Sequence, residues 1–442
     1  MHAKMCKVHC YMFNSDAALQ FNGDKPSAVN MQSPIQSNQN KVYVIMNWDI
    51  FLLHPYHTAV GCILIIAFLY QVYFYFMIAR PLRSKPKARL ATDNVPEAPS
   101  AGVDAPGVSV IICARNEGEN LSHYLLSLLN QDYPLYEVIV VDDGSGDDTS
   151  IVVERQMAHD SRLHLTFVPK EARVRSTKKL GITLAAKAAQ YDYLLLTDAD
   201  CRPASSQWIS RMMSGFDKEG VEIVLGYGAY FERRGVLNQM IQYDTLFNSL
   251  HYLGCALAHR PYMGVGRNLA YKKELFFRSG TFSDQMHLRS GDDDLLVNKI
   301  ATRNNTAVVL DYEATTWSVP KSTWREWWLQ KRRHLSVSPH YKARAKWHLA
   351  IEPLTRFLFY SATIALITLF ILMPIGPIWQ WSLIGLSPFA FRLLLQWAVL
   401  HRAERRLKHK PIWIGVIIWD ILLPVFTAVL MMSRKTYKQY RW

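Results

Sequence analysis

The segment Tyr193-Leu-Leu-Leu-Thr-Asp198-Ala-Asp200 constrains the fold more than any other stretch of this chain. A short apolar run bounded by polar residues reads as a buried strand, and this one ends in two carboxylates one residue apart. Open α/β sheets collect their ligands outside the carboxyl ends of the strands, so Asp198 and Asp200 are expected at that edge. Paired carboxylates there suit a hard divalent cation, Mg²⁺ or Mn²⁺, that bridges phosphates. Asp is equally common in solvated turns, and the flanking segments decide between the two.

Those segments alternate strand with helix. Val108 to Cys113 and Glu137 to Val141 are β-rich apolar runs, and Leu163 to Val168 is a third. Between them, Leu121, Tyr124, Leu125, Leu128 and Leu129 repeat with helical period, a helix follows from Thr149, and an Ala-rich helix covers Lys178 to Gln190. The pattern predicts βαβ units and a mixed, mostly parallel sheet in an α/β nucleotide-binding domain over 107–345.

Outside that region the composition changes. Half of the 442 residues are hydrophobic and only 19% are charged, which is low for a chain that meets water on all sides. Thr58 to Ile78 carries no charge and is about as long as one membrane-spanning helix, giving an anchor over 46–80. Arg80, Arg83, Lys85, Lys87 and Arg89 follow it and place that end on the cytoplasmic side. A Pro- and Ala-rich linker covers 81–106, and residues 1–45 read as a disordered extension ahead of a second possible start at Met46. Leu354 to Pro374, Trp379 to Leu400 and Ile412 to Met432 return to membrane-like composition, making 346–442 a set of transmembrane or interfacial helices. Basic clusters at His401 to Lys410 and Arg434 to Arg441 both favour the cytoplasm, so the last segment either turns back around Pro424 or carries one cluster across. The net charge of +14 lies beside apolar segments and in no groove-reading motif, which points to membrane and phosphorylated partners and excludes nucleic acid. The six cysteines form no CxxC pair and read as buried apolar residues.

Several polar motifs recur at strand ends and loops: Cys113-Ala-Arg-Asn-Glu117, Val-Asp142-Asp143-Gly-Ser, Asp198-Ala-Asp200, Gly264-Val-Gly-Arg-Asn268, Gly291-Asp-Asp-Asp294-Leu and Gln330-Lys-Arg-Arg-His334. In this order, from Val108 to Lys342, they resemble the family 2 inverting glycosyltransferases with a GT-A fold, in the membrane-bound subgroup with a QxxRW motif. The resemblance implies transfer of a sugar from a nucleotide diphosphate sugar, a UDP-sugar first among donors, to a lipid or glycan acceptor. It implies a multi-pass protein of the cell (inner) membrane with a cytoplasmic catalytic domain.

The resemblance also distributes roles. Ala114, Arg115, Glu117, Asp142 and Asp143 would bind the nucleobase and ribose. Asp200 would hold the metal, and Asp198 the ribose or the metal. Asp293 would take the acceptor proton, with Asp292 and Asp294 as substitutes. Acids packed together repel and raise one another's pKa, while a helix amino terminus favours the anion. Gln330, Arg332, Arg333 and His334 would meet the diphosphate and acceptor, with His334 standing where the subgroup has Trp. Gly266, Arg267 and Asn268 would face the acceptor, and Lys179 (or Lys178 beside it) the phosphates. The aromatic helix Val236 to Ala258 reads either as an interfacial helix at the acceptor entry or as a core helix.

Two other classes compete. A nucleotidyltransferase shares acid-bound metal but opens with a Gly-rich basic loop, where this chain has Ala114-Arg-Asn-Glu117. A non-catalytic membrane scaffold would use Arg392 and Asp420 to line a polar path, or would pair them. A processive polysaccharide synthase remains the alternative within the transferases.

Overall fold

The computed structural model describes residues 55–83, 105–169, 171–172, 174–373, 378–412 and 415–432. The 1–45 extension, Met46, most of the linker and the basic cluster from Arg434 lie outside the described residues. Ten strands follow in chain order: β1 (Val108–Ala114), β2 (Tyr136–Asp142), β3 (Leu163–Phe167), β4 (Tyr193–Asp198), β5 (Cys201–Pro203), β6 (Ile223–Leu225), β7 (Gly228–Tyr230), β8 (Leu269–Lys272), β9 (Thr306–Val308) and β10 (Thr316–Ser318).

Seven strands form one sheet in the order β3-β2-β1-β4-β8-β6-β9. All neighbours are parallel except those of β8, which runs antiparallel to β4 and β6. The sheet is therefore mixed and mostly parallel, as the strand–helix alternation predicts. β1 and β2 are almost wholly buried Val and Ile, which suits strands covered on both faces. A second sheet of β5, β10 and β7 lies at the edge that carries the site.

The helices are α1 (Pro55–Ile78), α2 (Gly118–Leu129), α3 (Thr149–Met157), α4 (Thr177–Ala188), α5 (Trp208–Met213), α6 (Val236–Leu257), α7 (Lys273–Arg278), α8 (Asp294–Ile300), α9 (Trp324–Leu335), α10 (Ala343–Leu372), α11 (Ile378–Leu407) and α12 (Val416–Met432). Leu121, Leu125, Leu128 and Leu129 of α2 form one buried stripe against β1 and β2. Ser176 starts α4 by accepting from the Lys179 amide. Thr323 and Glu326 close a reciprocal capping box on α9.

Two stretches, Pro55–Leu82 and Ala343–Leu372, are long and apolar enough to cross a membrane, and they pack on each other. α12 runs unbroken through Pro424, so the chain does not turn back there, in contrast to that expectation. Its 17 residues span about 26 Å, slightly short of a hydrocarbon core. The two charged residues inside apolar runs pair with each other: Arg392 Nη2 lies 2.8 Å from Asp420, and both are fully buried. Arg356, Tyr360, Tyr243 and Gln396 are further partners of the Asp420 carboxylate. A closed network of this kind satisfies its charges internally and lines no open path.

Of the two readings of Val236 to Ala258, the core helix is correct. Met240, Ile241, Tyr243, Leu246, Leu250 and Leu253 are all buried. Gly254 lets α6 approach α1 closely, because a Cβ there would stand 2.7 Å from the Met77 carbonyl oxygen.

Candidate active site

Register brings the acids together. β1 lies between β2 and β4, with Ala114 level with Asp142 and Cys113 level with Asp198. Parallel pairing therefore sets Asp142 and Asp198 at one edge on either side of β1. The chain then turns at Asp200 into β5. Ser318 of β10 donates to Asp200 Oδ2 at 2.8 Å. Asp198, Asp200 and Cys201 present ligand atoms within 4.8 Å of one another. Burial raises the Asp200 pKa, and the Asp198 charge adds to the rise. Two carboxylates that resist sharing negative charge fit a divalent cation, which removes the repulsion.

The second acidic group comes from the loop before α8. Gly291, at φ +94°, takes a left-handed conformation that admits the turn into Asp292, Asp293 and Asp294. Lys178, from the first turn of α4, joins the two groups: its Nζ lies 2.9 Å from Asp198 and 3.0 Å from Asp292. Cys113, Lys178, Asp198, Gly266 and Asp292 line one small cleft. Asp198 and Asp292 thus face the same space.

The three consecutive acids have different surroundings. Burial alone would raise Asp292, but the Lys178 ammonium outweighs it and holds the carboxyl below its ordinary value. Asp293 accepts from the Gly266 amide at 2.8 Å and the Asp294 amide at 2.7 Å. Its pKa is nonetheless raised, by burial first and by the Asp292 charge second. Asp294 points into the core, accepts from the Tyr341 hydroxyl at 2.7 Å, and is pushed up to about 8 by burial and by Asp293. Burial, reinforced by mutual repulsion, therefore prevails over the helix amino terminus at Asp293 and Asp294.

On the other flank, Asp143 accepts from the Thr177 hydroxyl at 2.5 Å, with Arg115 Nη1 at 3.9 Å. Burial raises its pKa. Asp142 instead accepts from the Ser145 amide at 2.8 Å and shapes the turn. Glu117 accepts from Asn120, and its pKa is raised by burial and by the charges of Asp200 and Asp198.

Two expected site residues are engaged elsewhere. Lys179 is buried, and its Nζ donates to the carbonyls of Gln285, Leu288 and Ser290, bracing the loop that leads to the acids. Lys178 is the lysine in the cleft, because the two side chains leave α4 in different directions. Asn268 is also buried: Trp208 Nε1 donates to its Oδ1, and its Nδ2 donates to the carbonyls of Tyr227 and Ala314. It supports the Gly266–Arg267 turn from beneath. Arg267 lies 4.1 Å over the Tyr230 ring, and the charges of Asp200 and Asp198 help keep it protonated.

The Gln330 to His334 stretch lies on α9. Gln330 Nε2 donates to the Tyr230 hydroxyl at 3.1 Å, and Lys331 pairs with Asp244. The Arg333 charge is among the influences that hold Asp292 ionised. Arg332 is half-buried and His334 exposed. Ser318, Thr177 and Tyr341 escaped sequence reasoning, since isolated hydroxyls carry no pattern. Lys178 had one visible signal, its place in the first turn of a helix.

Residues 109–282 match the family model described as "Glycosyl transferase family 2". The Gly291–Asp294 and Gln330–His334 segments lie beyond that match. A glycosyltransferase, AglE, of Haloferax volcanii is 33% identical over 123 residues, which is 27% of this chain and 39% of that protein. A poly-beta-1,6-N-acetyl-D-glucosamine synthase of Staphylococcus epidermidis is 31% identical over 131 residues, 29% of this chain and 28% of the synthase. The chain thus matches well under half the length of either relative. A mannosyltransferase of Pyrobaculum calidifontis, solved with GDP-Man and Mn²⁺, superposes with a TM-score of 0.53 at 20% identity, covering 87% of this chain and 100% of that one. That likeness establishes a shared GT-A-like fold.

Proposed function

We propose that this chain, whose residues 109–282 match the model of glycosyl transferase family 2, is a membrane-bound, inverting glycosyltransferase that moves a sugar from a nucleotide diphosphate sugar to a lipid or glycan acceptor. One observation carries the reading: Lys178 ties Asp198 to Asp292, so donor-side and base-side acids share one cleft.

Asp198 and Asp200 would hold a divalent cation, Mg²⁺ or Mn²⁺, whose charge would offset that of the departing diphosphate. The Mn²⁺ and GDP-Man in the structure of the Pyrobaculum mannosyltransferase support this assignment. Asp143, with Ala114, Arg115 and Glu117, would take the nucleobase and ribose. Lys178 is positioned to leave its carboxylates for the donor phosphates, and Arg333 to reinforce it. Asp293 would accept the acceptor hydroxyl proton as that oxygen attacks the anomeric carbon from the face opposite the leaving group. Its raised pKa makes it a stronger base than an ordinary aspartate.

The acceptor reading rests on the two apolar helices that flank the domain, Pro55–Leu82 and Ala343–Leu372. α9, which carries Gln330 to His334, leads through a short turn into α10. A lipid-borne acceptor would reach the cleft from that side, with the catalytic domain in the cytoplasm. A processive synthase is the second reading, favoured by the similarity to the Staphylococcus synthase.

Incubating the purified protein with Mg²⁺ or Mn²⁺ and a panel of labelled nucleotide sugars tests the proposal. Release of nucleoside diphosphate from one donor, dependent on metal, is expected. Turnover of none, with or without membrane lipid extract, would contradict it.

A further inference from the structure

A second cluster of ligand-bearing side chains lies away from the cleft, where α6 meets α1 and α10. His251 and Cys255 are one turn apart on α6 and so project from the same face. A ring nitrogen of His251, the Cys255 thiol and a ring nitrogen of His348 lie within 4.8 Å of one another. Cys255 Sγ stands 3.2 Å from His348 Nε2 and 3.9 Å from Met77 Sδ. His251 is 6% exposed and Cys255 is fully buried. The His251 Nε2 is buried with no hydrogen-bond partner, an expensive condition for a core histidine.

From this geometry we propose that His251, Cys255 and His348 form a Zn²⁺ site, with water at the fourth position. Imidazole nitrogen and thiolate sulfur are both donors that zinc takes, and three side chains from two helices supply them here. A neutral imidazole is the form of histidine that binds a metal. The metal would displace the Cys255 thiol proton, which passes to solvent as the S–Zn bond forms. The nearby Arg260 favours the thiolate and weighs against the added cation. The site would clamp α6 to the start of α10. It stands independently of the sugar-transfer reading, because none of its ligands enters the cleft.

The full chain, purified in detergent without a metal-affinity step, should carry about one zinc per protein by elemental analysis. Replacing zinc with Co²⁺ should give a thiolate-to-cobalt absorption band and tetrahedral d–d bands. C255A should abolish the charge-transfer band, and His348→Gln, at a half-buried position that does not open the core, should lower metal content at least tenfold. Absence of zinc together with no cobalt spectrum, stoichiometric copper in place of zinc, or a cobalt spectrum unchanged in both variants would each overturn the assignment.

Discussion

Lys178 holds its ammonium 3.0 Å from the Asp292 carboxylate, joining the start of α4 to the loop before α8. The same ammonium touches Asp198, and in the proposed reaction it would turn to the donor diphosphate. Replacing Lys178 by Gln should weaken nucleoside diphosphate binding by about ten- to a hundredfold, the range of a charged hydrogen bond. Calorimetric titration with metal present reads this directly; unchanged affinity would remove Lys178 from the phosphate site.

Asp293→Asn should abolish sugar transfer while leaving nucleotide binding near that of the parent. The wild-type rate should rise with pH to a limb above the ordinary aspartate range, because the base works only when ionised and its pKa is raised. A pH–rate profile flat down to pH about 4 would move the base elsewhere. Asp292→Asn, which leaves Lys178 with Asp198 alone, should retain measurable transfer.

Lys179 tests fold rather than chemistry. Its three carbonyl acceptors lose their donor in Lys179→Met, which should cost about 2–4 kcal/mol of stability. Denaturant unfolding measures this, and a loss under about 0.5 kcal/mol would show that water replaces the ammonium.

Asp294 predicts a pH dependence of stability. Its folded pKa of about 8 exceeds the unfolded value, so the folded state binds the extra proton. The contribution is complete below the unfolded pKa and is lost as pH rises through 8. Asp294→Asn should therefore flatten the fall in melting temperature between pH 5 and about 9. Parallel curves for parent and variant would contradict the raised pKa.

Much of this architecture was legible in the chain because it depends on local pattern. The runs ending at Asp142 and Asp198 announce strands by length and polarity, and register then carries both acids to one edge. Lys178 and Lys179 were not separable, since adjacent residues on a helix differ only in direction, which tertiary packing sets. Asn268 looked like a site residue because it closes the Gly264-Val-Gly-Arg-Asn268 motif; only the position of Trp208 shows that its amide faces the core. The core placement of α6 followed from its partners α1 and α12, which no window of its own sequence contains. The pairing of Arg392 with Asp420 was one of two readings that composition allowed, and helix packing selects it.

The central claim is that acids distant in the sequence bind one donor molecule. Titrating nucleoside diphosphate with Mn²⁺ into the parent, Asp143→Ala and Asp200→Ala proteins tests it most directly. Both variants should lose at least tenfold in affinity for the same ligand, and only Asp200→Ala should lose the dependence on metal. Full affinity with intact metal dependence in both variants would contradict the account.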